Sequence, residues 1–302
     1  MSWRLTESVQ EFAAETGEFL RAERVRNTVL LTVTQTLLTQ PDMYRGAGSA
    51  GPVFGWWLPG GASAGGVGTG GAGGAGAGGA GAAFMQTPSS PALLTAMTDA
   101  AAAALVHELA DAGREIPGVN APEEVAQAFA AAWRERTGTP ARVRYRMRMR
   151  LFRLGDLTWP RPMPEGGARL AGTADRDLLI AWFGMFAAEA GAMGESDYGR
   201  AVDDRLSYSG MTIWEADGVP VSLACRSRTV AGMVRLGPVY TPRELRGRRY
   251  AGAATAAVSQ AARDAGTAEV LLYTDLANPT SNALYQRLGY RPVEDRVLLE
   301  FG

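Results

Sequence analysis

Apolar and polar positions along the first half of this chain recur in patterns typical of helices and strands. Apolar residues spaced three to four apart predict helices, and short apolar runs predict strands. The predicted elements are a helix over Val25–Leu38, a hairpin of Pro52–Leu58 and Ala82–Thr87, a helix over Thr98–Ala112, a strand over Ile116–Val119 and a helix over Pro122–Arg136.

The second half gives a similar succession. Within its third predicted strand, Gly237-Pro238 indicates a bulge or splay. The predicted elements are a helix over Asp175–Ala190, a hairpin of Met211–Ala216 and Val219–Cys225 around Asp217-Gly218, a strand over Val230–Tyr240, a helix over Arg249–Ala265, a strand over Glu269–Tyr273, a helix over Ser281–Leu288 and a strand over Val293–Phe301.

The shared order of elements predicts a tandem repeat. Leu105–Gly113 can be laid over Val258–Gly266, although alanine-rich helices resemble one another by chance. We therefore expect two domains, 1–140 and 141–302, with a strand over 142–154 joining the halves.

Composition narrows the class of protein. With 302 residues, 46% hydrophobic residues and a net charge of −1, the chain can build two modest cores, which excludes wholesale disorder. A Gly/Ala-rich stretch at 60–82 predicts a flexible surface insertion. The longest apolar stretch, Val29–Leu38, is too short to span a bilayer. We expect a cytoplasmic protein with no membrane partner.

Several kinds of chemistry are excluded by residue usage. Every basic residue is Arg, so a lysine Schiff base or a lysine general base is impossible. One Cys and one His exclude a Cys-rich metal site, and we expect no metal. Cys225 on its strand is interpreted as a small core residue, and His107 as a surface or interdomain residue.

Residues 236–253 carry the first chemical signal. They place Arg246, Arg248 and Arg249 beside small residues at the start of a helix that follows a strand. Unpaired backbone N–H groups and the positive end of the helix dipole meet at such a point. The pattern therefore predicts an anion site, for which a pyrophosphate is suited.

This stretch resembles the pyrophosphate loop of the GNAT superfamily of acyl-CoA-dependent N-acyltransferases, which reads Arg/Gln-x-x-Gly-x-Gly/Ala. Arg249 departs from the family, which usually has Gly there; a helical backbone would tolerate its side chain. The matching stretch is Arg246, Gly247, Arg248, Arg249, Tyr250 and Ala251.

A second GNAT-like motif follows, Asn-x-x-Ser/Ala-x-x-Leu-Tyr-x-Lys/Arg-x-Gly-Phe/Tyr. The resemblance implies that Tyr285 gives a proton to the leaving CoA thiolate and that Asn278 contacts the pantetheine region. It also implies that the strand residues Val239, Tyr240 and Thr241 pair with the pantetheine amides. The motif residues are Asn278, Ser281, Leu284, Tyr285, Arg287, Gly289 and Tyr290.

The resemblance covers residues 168–302 and implies an α+β fold. Each half would be a GNAT-like domain with a central mixed, mostly antiparallel sheet flanked by helices. The first half looks like a degenerate copy, because the counterpart of the loop, Leu93–Ala102, has neither Arg nor Gly. We expect only the C-terminal copy to bind CoA.

The function implied is an N-acyltransferase that takes an acetyl group from acetyl-CoA, or another acyl group from its CoA thioester. A primary amine, on a small molecule or a peptide, would attack the thioester directly in a ternary complex. Candidate bases for the amine are Glu215 and Asp275, with a water chain as the other possibility. Either a monomer or a homodimer is compatible with the sequence.

Five arginines alternate with apolar residues over Arg142–Arg150, which predicts a strand with one cationic face. This face is either solvated and salt-bridged or a docking surface for an acidic carrier protein or RNA. The second possibility gives an alternative function, acyl or aminoacyl transfer from a carrier-protein-bound or tRNA-bound donor. A further alternative is a non-catalytic CoA-binding regulatory module.

Overall fold

The computed structural model describes residues 1–41, 51–60, 79–88, 90–138, 144–190 and 197–301. Most of the predicted insertion at 60–82 lies outside these residues, as does Arg142. The chain forms two units. Unit 1 consists of Met1–Met149 and Glu294–Gly302, and unit 2 consists of Arg150–Val293.

Unit 1 contains a sheet with helices on both faces. Its strands follow the order β1-β2-β3-β4-β5-β12. The β4–β5 pair is parallel, whereas β1–β2, β2–β3, β3–β4 and β5–β12 are antiparallel. The elements are β1 (Ser2–Thr6), α1 (Val9–Ala22), α2 (Thr28–Thr39), β2 (Val53–Leu58), β3 (Ala82–Gln86), β4 (Ala92–Leu94), α3 (Asp99–Asp111), β5 (Gly118–Pro122), α4 (Glu123–Thr137) and the end of β12 (Tyr290–Glu300).

Unit 2 repeats this arrangement. Its strands follow the order β6-β11-β10-β9-β8-β7, and β10–β11 is the parallel pair. The elements are the end of β6 (Arg144–Leu154), β7 (Gly167–Leu170), α5 (Arg176–Ala190), α6 (Tyr198–Leu206), β8 (Met211–Ala216), β9 (Val219–Arg226), β10 (Met233–Tyr240), α7 (Tyr250–Asp264), β11 (Glu269–Asp275), α8 (Pro279–Arg287) and the start of β12.

In unit 2, successive side chains of a strand point to opposite faces of the sheet and so enter two different cores. Ile213 on β8 packs with α5 and α6, whereas the next residue, Trp214, packs with α7 and α8. Burial of these apolar faces, at roughly 25 cal/mol per Å² of apolar surface, holds both helix pairs on the sheet. Helices α7 and α8 carry the two GNAT-like motifs, so this packing sets their position.

The predicted α+β fold with mixed sheets is confirmed, and so are the hairpins β2–β3 and β8–β9. The sequence reading missed α1, although Ser8 followed three residues later by Glu11 is a helix-start signature. Its Oγ accepts a hydrogen bond from the Glu11 N–H at 3.2 Å. It also missed β1, β4, β7 and α6, which are short.

The division between units differs from the expected boundary at 140/141. The first unit extends to Met149, and residues 294–302 also belong to it. The reason is strand pairing, because Arg296–Glu300 of β12 pair antiparallel with Gly118–Pro122 of β5. Among the described residues, no helix is long and apolar enough to cross a membrane.

Candidate active site

The site is built where the two parallel strands of unit 2 separate. Their pairing stops at Leu236 and Leu272, although β10 continues to Tyr240 and β11 to Asp275. The register of β10 with β9 also shifts between Leu236 and Val239, which confirms the bulge predicted at Gly237-Pro238. A gap therefore opens beside the second half of β10, and one edge of its backbone faces that gap.

The end of β10 is held firmly on the side away from the gap. Ser222 on β9 donates from its Oγ to the Tyr240 carbonyl at 3.1 Å, and its Oγ lies 2.8 Å from Thr241 Oγ1. The Tyr240 hydroxyl lies 3.4 Å from Met185 Sδ of α5. Val239 packs against the core beneath α7 and α8. The predicted pantetheine strand, Val239 to Thr241, is thus fixed in place.

Helix α7 begins without a side-chain cap. Arg249 occupies the N-cap position with φ of +67°, in the left-handed region, so the expected helical backbone there was wrong. A side chain in this region costs about 1–2 kcal/mol, which explains why Gly suits the position. The first intrahelical bond runs from Ala253 N to Arg249 O at 3.1 Å. The N–H groups of the first turn therefore have no acceptor within the helix.

The loop's arginines fall into two groups. Arg248 and Arg249 are exposed and make no ion pair with any residue in the described part of the chain. Arg246 instead donates from Nε to the Thr241 carbonyl at 2.9 Å and from Nη2 to Glu189 at 2.7 Å. Together with Arg243, it lowers the pKa of the Glu189 carboxyl. Only the first group carries unpaired cationic charge, on the two residues that directly precede the first helical residue of α7, Tyr250.

Helix α8 begins at Pro279, directly after Asn278, the first residue of the second motif. Asn278 caps it, because its Oδ1 accepts from Ser281 N at 3.0 Å. Asn282 donates from Nδ2 to the Asp275 and Asn278 carbonyls at 2.8 Å each. The Asp275 carboxylate accepts from Ala277 N at 2.9 Å. One of the two carboxylate oxygens of this candidate base therefore stabilises the turn that follows β11.

Tyr285 lies in the core between α7, α8 and the sheet. Burial raises the pKa of its phenol to about 12. Its ring meets the Tyr290 ring edge-on at 6.0 Å, and the Tyr290 hydroxyl lies 2.7 Å from Ser259 Oγ. The Tyr285 hydroxyl forms no hydrogen bond to any described residue. The phenol therefore keeps its proton throughout the physiological pH range.

Gly252 brings α7 and α8 together. A Cβ at this position would lie 3.1 Å from Leu284 Cδ1, the neighbour of Tyr285 in sequence. The absence of a side chain lets the first turn of α7 pack closely on α8. The loop and the Tyr285 motif are thus adjacent, as the resemblance implied.

Glu215 lies apart from this arrangement. It is on β8, and β9 separates β8 from β10, which places it roughly 10 Å from that strand. Its carboxylate pairs with Arg169 Nε at 2.5 Å, and Arg169 also makes two bonds of 2.8 Å to Asp175. These contacts raise the pKa of Arg169 and lower that of Asp175. Glu215 thus belongs to a surface ion-pair network.

The comparisons with known proteins agree with this geometry. The family model for acetyltransferases of the GNAT family matches residues 179–290. Residues 179–290 form a GNAT acetyltransferase domain. This GNAT domain contains the β10 gap, the α7 loop and Tyr285. No curated protein matches the chain.

Among the solved structures that are similar to this chain, two examples match it over essentially its whole length. A Drosophila protein is 14% identical, covers 99% of this chain and 98% of its own, and has a TM-score of 0.65. A GNAT-family acetyltransferase from Colwellia psychrerythraea is 10% identical, covers 100% of both chains, and has a TM-score of 0.55. At these identities the likeness establishes the fold.

Glu189 is the residue of this region that sequence reasoning missed. It precedes Arg246 by 57 positions and stands in a helix whose apolar pattern gave no sign of a polar role. No local spacing could have indicated the contact. The left-handed backbone at Arg249, by contrast, was signalled by the glycine usual at that position in the family.

Proposed function

We propose that this protein is an N-acyltransferase that uses acyl-CoA, with acetyl-CoA as the first candidate donor. The observation that carries the proposal is the uncapped start of α7, where Arg248 and Arg249 are free of ion pairs. This helix follows β10, whose pairing with β11 stops before the strand ends. An anion is favoured there by the unsatisfied N–H groups, the helix dipole and the two guanidinium groups.

The residues present fit such a donor. The N–H groups of Tyr250 and Ala251, with Arg248 and Arg249, would hold the pyrophosphate. Of the predicted pantetheine residues Val239, Tyr240 and Thr241, the first two lie on the edge of β10 that would hydrogen-bond the pantetheine amides, whereas the Thr241 carbonyl already accepts from Arg246 Nε. The donor supplies an acyl group activated as a thioester. An N–H on the same edge would stabilise negative charge on the thioester oxygen.

Tyr285 is proposed to hold a proton at its phenol oxygen for the departing thiolate. A buried phenol with a pKa near 12 remains protonated at neutral pH. Transfer to a thiolate of pKa ~8.5 is uphill, so Tyr285 acts through a strong hydrogen bond or a transfer completed as the carbon–sulfur bond breaks. Because Glu215 and Asp275 are both engaged, a water chain is the favoured route for the proton of the amine.

The acceptor is proposed to be a primary amine on a small molecule or peptide. Two alternatives retain motivating observations. The alternating arginine strand supports a carrier-protein-bound or tRNA-bound donor, although Arg148 is paired with Glu123 at 2.7 Å. The engaged carboxylates support a regulatory module that binds CoA without turnover. A cytoplasmic location remains part of the proposal.

Titration calorimetry with acetyl-CoA tests the proposal first. We expect one site per chain, since the counterpart loop of unit 1 has no Arg. A screen of amines that monitors free thiol then separates an enzyme from a regulatory module. Tyr285→Phe should lower turnover at least tenfold while changing donor affinity little. No heat of binding at millimolar acetyl-CoA would exclude the proposal.

A further inference from the structure

One carboxylate bridges two arginines of unit 2 that are close in sequence to the α7 loop. Glu189, in the last turn of α5, accepts from Arg243 Nε at 3.1 Å through Oε1 and from Arg246 Nη2 at 2.7 Å through Oε2. The two arginines bracket the short helical turn Arg243–Leu245. Glu189 therefore fastens both ends of that turn to α5.

Arg246 is held by more than this ion pair. Its Nε donates to the Thr241 carbonyl at 2.9 Å, and its guanidinium carbon lies 5.9 Å from the centre of the Tyr240 ring. Tyr240 is the last residue of β10 and Thr241 follows it, and Ser222 contacts both. The side chain is thus turned back toward β10 and α5.

The next two arginines behave differently. Arg248 and Arg249 are exposed and carry no ion pair within the described residues. A cation that already shares a carboxylate and a carbonyl gains less from a phosphate than a free one, because those bonds must first be broken. The contacts therefore divide the loop into a part that anchors and a part that is free to bind.

We infer that Glu189 and Arg246 form a strut that positions the α7 loop, and that Arg246 acts through this strut rather than by contacting the donor. The same contacts border an open cavity of about 350 Å³ lined by Met185, Ala188, Glu189, Tyr240, Pro242, Arg243 and Glu244. The inference rests on the proposed function only in naming the ligand as acyl-CoA.

A double-mutant cycle tests the strut through acetyl-CoA affinity. Glu189→Gln and Arg246→Gln should each weaken binding about three- to fivefold. The double variant should be weaker than either single one, because Glu189 also holds Arg243 and Arg246 also holds the Thr241 carbonyl, but by less than the product of the two single effects, because the ion pair is shared. Turnover at saturating donor should stay at the wild-type value. Glu244→Gln is the matched control, because Glu244 lies on the same turn without an ion pair among the described residues.

Tighter binding of acetyl-CoA by Glu189→Gln would overturn the inference. If Arg246 contacts the pyrophosphate, Arg246→Gln weakens binding, whereas Glu189→Gln tightens it by removing a competing anion. The two roles therefore predict effects of Glu189→Gln in opposite directions. Unchanged affinity in Glu189→Gln would also contradict the strut.

Hydrogen exchange of the ligand-free protein provides a second readout that does not depend on donor binding. Amides of residues 243–249 should exchange several-fold faster in Glu189→Gln than in wild type or Glu244→Gln. Equal rates would overturn the strut even if CoA binds. Faster exchange in a protein that fails to bind acetyl-CoA would refute the proposed function while leaving the strut intact.

Discussion

Unit 1 and unit 2 share the order of strands and helices but differ at the helix that follows the first strand of the parallel pair. In unit 1, Thr98 caps α3 by accepting from Ala101 N at 3.2 Å, and Asp99 adds a carboxylate to the first turn. In unit 2, α7 starts at a left-handed Arg249 with neither a cap nor an acid. One helix start satisfies itself, whereas the other is open to an external anion.

The two units also differ at the end of the parallel strand pair, which is filled by a side chain in unit 1 and open in unit 2. In unit 1, the Arg296 side chain donates from Nη2 to the carbonyls of Leu94 and Asn120, at 2.8 and 2.9 Å, and from Nε to Asn120 Oδ1. These acceptors lie at the end of the β4–β5 pairing, and Arg296 is only 4% exposed. In unit 2, no described side chain bridges the ends of β10 and β11 in this way. The arrangement supports the prediction that only the C-terminal copy binds CoA.

The helices that follow the second strand of each parallel pair, α4 in unit 1 and α8 in unit 2, differ in one buried aromatic residue. Tyr285 lies seven positions after the Asn278 cap of α8, and Phe129 lies seven positions after the Pro122 cap of α4. Phe129 is buried in a stack with Trp133 and Phe301 and has no hydroxyl to donate. A fold kept by apolar packing can therefore lose each polar element of a site without losing its architecture.

The largest effect is expected from replacing Arg296, the side chain that bridges β4 and β5 in unit 1. Arg296→Met keeps most of the apolar stem but removes the guanidinium donors of the Leu94 and Asn120 carbonyls and of the Asn120 amide oxygen. It also breaks the ion pair with Glu294 at 3.3 Å. We expect the free energy of unfolding to fall by about 3 kcal/mol, measured by urea denaturation. Arg291→Met, exposed on the same strand, is the control and should change it by less than about 0.5 kcal/mol. A similarly small loss in Arg296→Met would mean that the Arg296 hydrogen bonds contribute nothing to the free energy of unfolding.

The second experiment is Tyr285→Phe, which gives unit 2 the residue type that unit 1 has at the matching position, Phe129. Burial raises the pKa of Tyr285 and of the Cys225 thiol to about 12 each, from their ordinary values of 10.0 and 9.0. Both folded-state pKa values exceed the unfolded ones, so the stability they contribute is complete below pH 9 and is lost as the pH rises toward 12.

Tyr285→Phe should therefore flatten this decline by about 1 kcal/mol between pH ~9 and pH ~11, because the remaining loss comes from Cys225 and other groups. Urea denaturation at a series of pH values measures it. Identical pH profiles for the two proteins would show that the phenol titrates as freely in the folded state as in the unfolded one.

The smallest effect concerns the start of α7. Arg249→Gly relieves a left-handed side chain and should stabilise the protein by about 0.5 kcal/mol, after the entropy of glycine is deducted. The same change removes a free cation and should weaken acetyl-CoA binding several-fold. Arg248→Gly is the control, expected to weaken binding without stabilising. A destabilised Arg249→Gly protein would contradict the strain at this position.

Local patterns predicted much of the fold and indicated which segments form the candidate site. Periodic apolar positions gave α3, α4, α5 and α7, and Gly237-Pro238 gave the bulge that opens the gap. Short elements such as β4 and β7 were not predicted, because three or four residues are too few to show a periodic pattern of apolar positions. The two candidate bases were chosen by residue type and by their positions on or after predicted strands. Their partners, Arg169 for Glu215 and the Ala277 amide for Asp275, became visible only in the structure.

The sequence by itself determined the repeated order of elements, the cationic start of α7 and the Asn278–Tyr290 motif, because each depends on residues near one another in the chain. Tertiary structure alone decided which charges are free. Glu189 reaches Arg246 across 57 positions, and Arg296 reaches Asn120 across 176. Such pairings follow from the packing of whole elements, so no local spacing in the sequence encodes them.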